Sequence, residues 1–276
     1  ATAGAAPLFL AVHFESAHFP FATRHAHETF AGPNPFWNRH AAALTVVDQQ
    51  VGQLVAGLQR QGFLQNALVI VLSDHGEGLG ELEATLNLDG KPTPIQVYGH
   101  GSHVVSDHEN HIVLGVIDYK DGRPSSQSTD ARQVSLLDLK PLISRYVATG
   151  DTSIVPSGAC MFVETGERFS KAEDYRTLDQ VEVAADSARF YEIDLAGRMR
   201  LREGGLRELA ATKDVGVRCR DHLTYQSVPL NRYFTLALDE SGLPTEELPL
   251  NGSDIRQIES YRARLQATLP AASSSL

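Results

Sequence analysis

The apolar run from Ala67 to Leu72 is continuous and stops abruptly at Ser73. A short uninterrupted run rich in Val and Ile predicts a strand buried on both faces, as in a parallel sheet. Pro7 to Phe14, PLFLAVHF, predicts a second such strand. Between them, Arg39 to Arg60 carries Leu44, Val47, Val51, Leu54, Val55 and Leu58 at three- and four-residue steps. That stripe predicts a helix, with Gly62 as its C-terminal cap. Helix, short link and apolar strand are the pieces of a parallel α/β layer. HIVLGVID, residues 111–118, predicts the next strand. Val134 to Val147 predicts a helix through Leu136, Leu139, Ile143 and Val147, with Pro141 either kinking it or starting a second one.

The remaining segments lack this pattern. Ala22 to Asn38 and Lys120 to Asp130 read as loops, and Glu81 to Tyr98 as a long insertion with Gly90, Pro92 and Pro94. After Gly150 the character changes. MFVETGERF (161–169) and ARFYEIDL (188–195) read as strands of alternating type, and 232–250 as a strand and turn. Ser253 to Leu269 predicts a closing amphipathic helix, and the final AASSSL a frayed end. The expected architecture is α/β over residues 1–150, with a smaller antiparallel unit plus a helix over 151–276. No internal repeat is present.

Composition narrows the function. The 276 residues, with 42% hydrophobic content, suffice for a sizeable core. A net charge of −10 and no basic patch exclude nucleic acid as the expected partner. An acidic protein acting on anionic esters needs local positive charge, which a bound metal supplies. Cys160 and Cys219 could pair, although two cysteines make no disulfide framework. No run has the length of a membrane helix, and no signal peptide opens the chain. The chain begins almost directly with a core-like strand, so the natural polypeptide is expected to start earlier.

Ten of the eleven histidines lie within the first 111 residues, which directs attention there for chemistry. Ligands in open α/β sheets bind just beyond the carboxyl ends of strands. Asp74, His75, Gly76, Glu77, Gly78 and Gly80 follow the 67–72 strand at such a place. Asp and neutral His suit a divalent metal of mixed O/N preference. The competing reading is a turn with Asp74 as a cap. His13, Glu15 and His18 follow the first strand, and His18 could touch substrate or protonate a leaving group; a loop histidine bonded to backbone is its bland alternative. His100 and His103 lie among glycines in YGHGSHV. His108 and His111 read as structural, and Asp48 as a solvated carboxylate.

Taken in order, PLFLAVHFESAHFPF, the helix and strand ending ALVIVLSDHGEGLGE, then GHG and VSLLDLKPLI closely resemble the sulfatase and alkaline phosphatase superfamily, in its carboxy-terminal half. The likeness runs from about residue 7 to 150, and continues more weakly through FVETGE and the last helix. It implies an alkaline-phosphatase-like sheet flanked by helices. It also implies a divalent metal (Ca, Mg, Mn or Zn) with Asp74 and His75 as adjacent ligands. His18 matches the histidine of the family's His-x-Pro segment, and His100 one that contacts the transferred group in phospho-type members. His18 and His100 are thus the implied catalytic pair, and His13 and His103 the implied substrate contacts. Glu77 matches the motif and reads as structural. The implied substrate is a sulfate or phosphate ester.

The sequence departs from the family where the nucleophile is concerned. No Cys-x-Pro-x-Arg or Ser-x-Pro-x-Arg segment occurs in the chain. Two functions follow. One is the C-terminal part of a metal-dependent hydrolase or transferase, inactive by itself, whose missing N-terminal half carries the nucleophile. The other is a non-catalytic sulfatase-like binding or regulatory protein of the bacterial envelope, since GHGSHV also resembles a stretch of sulfatase-like inner-membrane sensors. Half a sheet would expose an apolar face, so self-association is expected. The family implies an extracytoplasmic place, periplasmic or tethered through a segment not in this chain.

Overall fold

A computed structural model of the chain describes residues 8–21, 26, 28–88, 91–125, 128–129, 132–156, 158–165, 191–202, 204–228 and 230–269. In chain order the elements are α1 (Pro35–Arg60), β1 (Asn66–Leu72), β2 (Gly78–Leu88), β3 (Lys91–Gly99), α2 (Asp107–Asn110), β4 (Leu114–Lys120), β5 (Arg123–Pro124), a 3-10 turn (Leu136–Asp138), α3 (Leu139–Thr149), β6 (Met161–Glu164), β7 (Tyr191–Ile193), β8 (Met199–Leu201), α4 (Gly205–Thr212), β9 (Val215–Arg218), β10 (His222–Ser227), β11 (Arg232–Leu238), β12 (Pro244–Leu248) and α5 (Gly252–Thr268). The fold is mixed α/β. It divides into two compact units, residues 1–74 with 112–157, and residues 75–111 with 158–276. The second unit therefore takes in the stretch from His75 to His111.

In the first unit, α1 begins earlier than the apolar stripe implies. Asn34 caps it, accepting from the Trp37 N–H, and Pro35 occupies the first turn. Phe36, Ala43 and Val46 are its buried residues, whereas Leu44 of the predicted stripe is exposed. Gln61 closes the helix and Gly62 takes φ +77° just beyond it. The 67–72 run does form a strand, but β1 pairs antiparallel with β4, from Asn66 opposite Lys120 to Leu72 opposite Leu114. This corrects the parallel expectation: a continuous apolar run specifies burial, not the direction of its partner. β1 is only half-buried along its length.

The strand expected over residues 7–14 is corrected as well. Residues 8–15 form no regular element, and Leu8, Phe9, Leu10 and Val12 are exposed. An apolar run becomes a strand only where a neighbour accepts its backbone hydrogen bonds, and among the described residues nothing pairs with it. Further along, Phe19, Phe21, Phe36 and His40 gather as an aromatic cluster against the start of α1. Pro141 falls in the first turn of α3, where its missing N–H costs nothing. The helix is preceded by a Ser135–Asp138 capping box and closed by Gly150 at φ +75°.

The second unit contains the antiparallel sheet expected after residue 150. Its order is β12-β11-β10-β9-β6. Strand alternation sorts its two faces. Leu223, Tyr225, Phe234 and Leu236 point to one side and form a core with Leu86, Ile95, Val104, Val105 and Val163. Val215, Val217 and Cys219 point to the other and pack on Ile258 of α5. The segment 81–98, expected to be an insertion, is in fact the antiparallel hairpin β2–β3. It supplies Leu86 and Ile95 to that core, which is why it orders despite its Gly and Pro content. Cys160 and Cys219 form a disulfide. The closing helix is as expected, with Asn251 as its N-cap. Residues 166–169 and 188–190 of the two predicted alternating strands, and the terminal 271–276, lie outside the described residues. Among the described residues no helix is long and apolar enough to cross a membrane.

Candidate functional site

The chemistry-bearing stretch of the second unit is built on the base of the β2–β3 hairpin. Gly78 pairs with Gly99 at the end of the ladder. One step beyond that pair, Glu77 meets His100, whose Nδ1 lies 2.9 Å from Glu77 Oε2. His75 lies two residues before Glu77, and its ring stacks on His100 with centroids 3.7 Å apart. His75, Glu77 and His100 each offer one donor atom, all within 4.8 Å of one another. The His75 Nδ1 is 2.7 Å from the Gly76 carbonyl oxygen. A ring N–H donated there fixes the tautomer in which Nε2 is the acceptor nitrogen.

Three acidic and glycine positions hold this arrangement. Gly76 N–H donates to the Glu109 carbonyl at 2.9 Å. A Cβ on Gly76 would run into the His108 carbonyl oxygen, so only glycine allows this approach. The Glu109 carboxylate accepts from Ser102 N–H at 2.8 Å, Ser102 Oγ at 2.6 Å and His103 N–H at 3.0 Å. It thereby clamps the loop that carries His100 and His103. Burial pushes the Glu109 carboxyl above the usual carboxylate range, against the pull of those hydrogen bonds. The Glu83 side chain, wholly buried, accepts from Ser106 Oγ at 2.5 Å, Asp107 N–H at 2.8 Å and His108 N–H at 3.2 Å. Arg218 of β9 reaches Asp107 Oδ1 and the Gly242 carbonyl, each at 2.6 Å. The 75–111 stretch is thus fastened to the C-terminal sheet by charge as well as by core.

Of the residues singled out from sequence, the structure brings His75 and His100 together and adds Glu77. His103 lies on the same clamped loop, exposed, with its Nδ1 2.9 Å from Ser102 Oγ. Asp74 is exposed and is not one of the three clustered residues. His13 and His18 belong to the first unit. His13 is exposed in the irregular N-terminal segment, and His18 lies in a turn with Nδ1 2.7 Å from the Phe19 carbonyl oxygen. His108 and His111 sit 3.7 Å from Glu83 and 3.3 Å from Asp107, as structural residues do.

The model of the Sulfatase family matches residues 1–146, more than half of the chain. The chain belongs to the sulfatase family. No curated protein and no solved structure matches it. Sulfatases are generally metal-dependent, and they act on anionic esters.

The residues of this sulfatase-family chain fit a metal. Two imidazoles and a carboxylate are a divalent-cation donor set. Glu77 Oε1 is buried and has no hydrogen-bond partner, and a coordinated cation would satisfy it. A second group, Cys219, His222 and Asp254, does not fit. Its sulfur is already in the disulfide, and His222 Nε2 is engaged 2.9 Å from Asp254 Oδ2. Sequence reasoning set Glu77 aside as structural, and missed the two clamping glutamates, Glu83 and Glu109, altogether. The stretch from Ser73 to Glu77 is irregular chain between β1 and β2, so no strand periodicity flagged Glu77.

Proposed function

We propose that the chain is part of a metal-dependent sulfatase-family enzyme that hydrolyses or transfers sulfate or phosphate esters, with the attacking hydroxyl or oxidised cysteine supplied from outside these 276 residues. The observation that carries this reading is the convergence of His75, Glu77 and His100 within the family-matched stretch. A bound divalent metal would neutralise charge on the transferred oxygens and lower the pKa of the attacking group. We assign Asp74 and His75 to it, with Glu77 and His100 converging on His75 beside the adjacent Asp74. We assign His18 to the leaving group as proton donor, and His13 and His103 to the anionic oxygens of the ester. The Glu109 clamp keeps the His103 loop in one conformation, so that no ordering cost falls on substrate binding. We place the enzyme outside the cytoplasm.

The test is hydrolysis of aryl sulfates and aryl phosphates by the whole natural polypeptide in the presence of Zn, Mn, Mg or Ca. Turnover is expected with one ester class, lost on chelation. His18→Ala is expected to lower kcat by about 10²–10⁴-fold, the usual worth of a general acid. Binding of anionic esters without turnover would instead favour the sulfatase-like binding or regulatory protein.

A further inference from the structure

We infer that the open groove between α5 and β6 binds an acidic polysaccharide, with Arg256 and Arg264 each holding one of its anionic groups and Phe162 packing on a sugar face. Phe162, Ser253, Arg256, Gln257, Ser260 and Arg264 line the groove, whose volume is about 370 Å³. The inference goes beyond the reaction proposed above and does not depend on it.

The first observation is the charge of the lining. The protein carries a net charge of −10, yet the groove presents two guanidinium groups and no carboxylate. The acidic residues of α5 are turned elsewhere. Asp254 is buried, accepting from Thr224 Oγ1 and facing His222 Nε2, and Glu259 accepts from the Tyr233 hydroxyl. Among the described residues neither Arg256 nor Arg264 has a carboxylate partner. An exposed guanidinium without a carboxylate keeps its fork of donors for a ligand's oxyanion.

The second observation is spacing. Arg256, Ser260 and Arg264 stand four residues apart along one side of the helix. Eight residues of α-helix rise about 12 Å. Both guanidinium groups lean toward the helix N-terminus: Arg256 Nη1 lies beside Gly252, and Arg264 Nη1 donates to Ser260 Oγ at 3.1 Å. The separation is therefore kept at the side-chain tips. It is too wide for one sulfate or phosphate and fits a chain with anionic groups repeated along it.

The third observation is the aromatic wall. Alternation along β6 sends Val163 into the core and leaves Phe162 on the α5 side. There its ring stacks on Tyr261 at 4.7 Å and stays 38% exposed. An exposed ring beside Ser253, Gln257 and Ser260 suits a sugar, whose C–H face packs on the ring while its hydroxyls pair with amide and hydroxyl groups. A membrane surface calls for several apolar side chains where this groove has one, and nucleic acid for more than two cations. The groove is also held in shape without a ligand. Cys160, just before β6, is bonded to Cys219, and Ile258 of α5 is buried against Val215, Val217 and Cys219. Little ordering cost then falls on binding.

The experiment is calorimetric titration of the 276-residue chain with oligosaccharides of dextran sulfate and of polygalacturonate. Uncharged dextran of equal length and inorganic sulfate are the controls. Binding is expected for at least one acidic oligosaccharide and for neither control at the same concentration. Arg256→Gln and Arg264→Gln are each expected to weaken it about 10-fold or more, as loss of a hydrogen bond to a charged group does. Both side chains are exposed, so these variants should fold as the parent does. Phe162→Ala should weaken binding as well. Arg60→Gln, which removes an exposed charge from α1, should leave it unchanged. The inference is overturned if neither acidic oligosaccharide binds, if inorganic sulfate binds as tightly, or if Arg60→Gln weakens binding as much as the groove variants do. Unchanged affinity in Phe162→Ala overturns the sugar assignment. Capture by phosphatidylglycerol vesicles through the same two arginines, in place of the oligosaccharides, would make the partner a membrane and overturn it too.

Discussion

Glu77 and His100 face each other one step beyond the Gly78–Gly99 pair, with Oε2 and Nδ1 2.9 Å apart, although 23 residues separate them in sequence. The hairpin between them turns a sequence distance into a ladder position. It delivers a histidine to a carboxylate and stacks that histidine on His75.

Gly76→Ala is expected to destabilise the second unit. Its Cβ would run into the His108 carbonyl oxygen and sit 2.7 Å from that of His111. Both obstacles are backbone, so the chain must move. The cost should be about 1–3 kcal/mol, as for overpacking elsewhere. Urea unfolding of the variant measures it. Stability equal to the parent's would show that the 108–111 backbone yields freely.

Glu109→Ala removes the acceptor of Ser102 N–H, Ser102 Oγ and His103 N–H at once. Leaving partly buried donors unpaired should cost about 2–3 kcal/mol. Hydrogen exchange at residues 102 and 103 should accelerate, with far smaller changes at β10 and β11. The native Glu109 carboxyl is raised by burial. Its contribution is therefore fully present below the ordinary carboxylate pKa and is lost as pH rises through the raised value. Glu109→Gln should flatten that part of the pH profile.

His222 gives the second unit a pH dependence near neutrality. Burial pulls its pKa down, but hydrogen bonds to Asp221 and Asp254 outweigh burial, and the net position is above 6.5. A raised histidine contributes stability fully below its unfolded value, and loses it as pH rises through the folded one. Unfolding free energy should thus fall from pH values under 6.5 to mildly alkaline ones. The difference between the parent and His222→Gln isolates this contribution, and a difference that does not change with pH would refute it. Asp254 also accepts from Thr224 Oγ1 at 2.9 Å, so the variant should also be less stable at every pH.

The Cys160–Cys219 disulfide spans 59 positions and joins the residue before β6 to the one after β9. A closed loop of this length constrains the unfolded chain by about 4 kcal/mol on the chain-entropy view. The double variant Cys160→Ser, Cys219→Ser should show that loss in denaturant, and reduction of the parent should reproduce it. A loss under about 1 kcal/mol would mean that the β6–β9 pairing orders the reduced chain unaided.

Much of this protein was written locally. The α1 stripe, the β1 run, the closing helix and the antiparallel character after residue 150 follow from periodicity, because burial acts residue by residue. The motif SDHGE, read with its preceding helix and strand, was specific enough to indicate the family that the comparison with family models then returned. Asp74 and His75 stood out for the same reason.

What tertiary structure decided was pairing. Whether β1 runs parallel or antiparallel to a neighbour depends on β4, not on Ala67 to Leu72. The same holds for Leu8 to Phe14, where apolar character without a strand partner left an exposed irregular segment. The 81–98 stretch looked like an insertion because Gly90, Pro92 and Pro94 obscured its alternation, and only contact with Phe234 and Leu236 of the C-terminal core makes it a hairpin. Glu77 shows the difference most clearly. Its two-residue spacing from His75 was visible in the chain, but its meeting with His100 was set by a register that no local pattern encodes, since register is fixed by which faces are buried together.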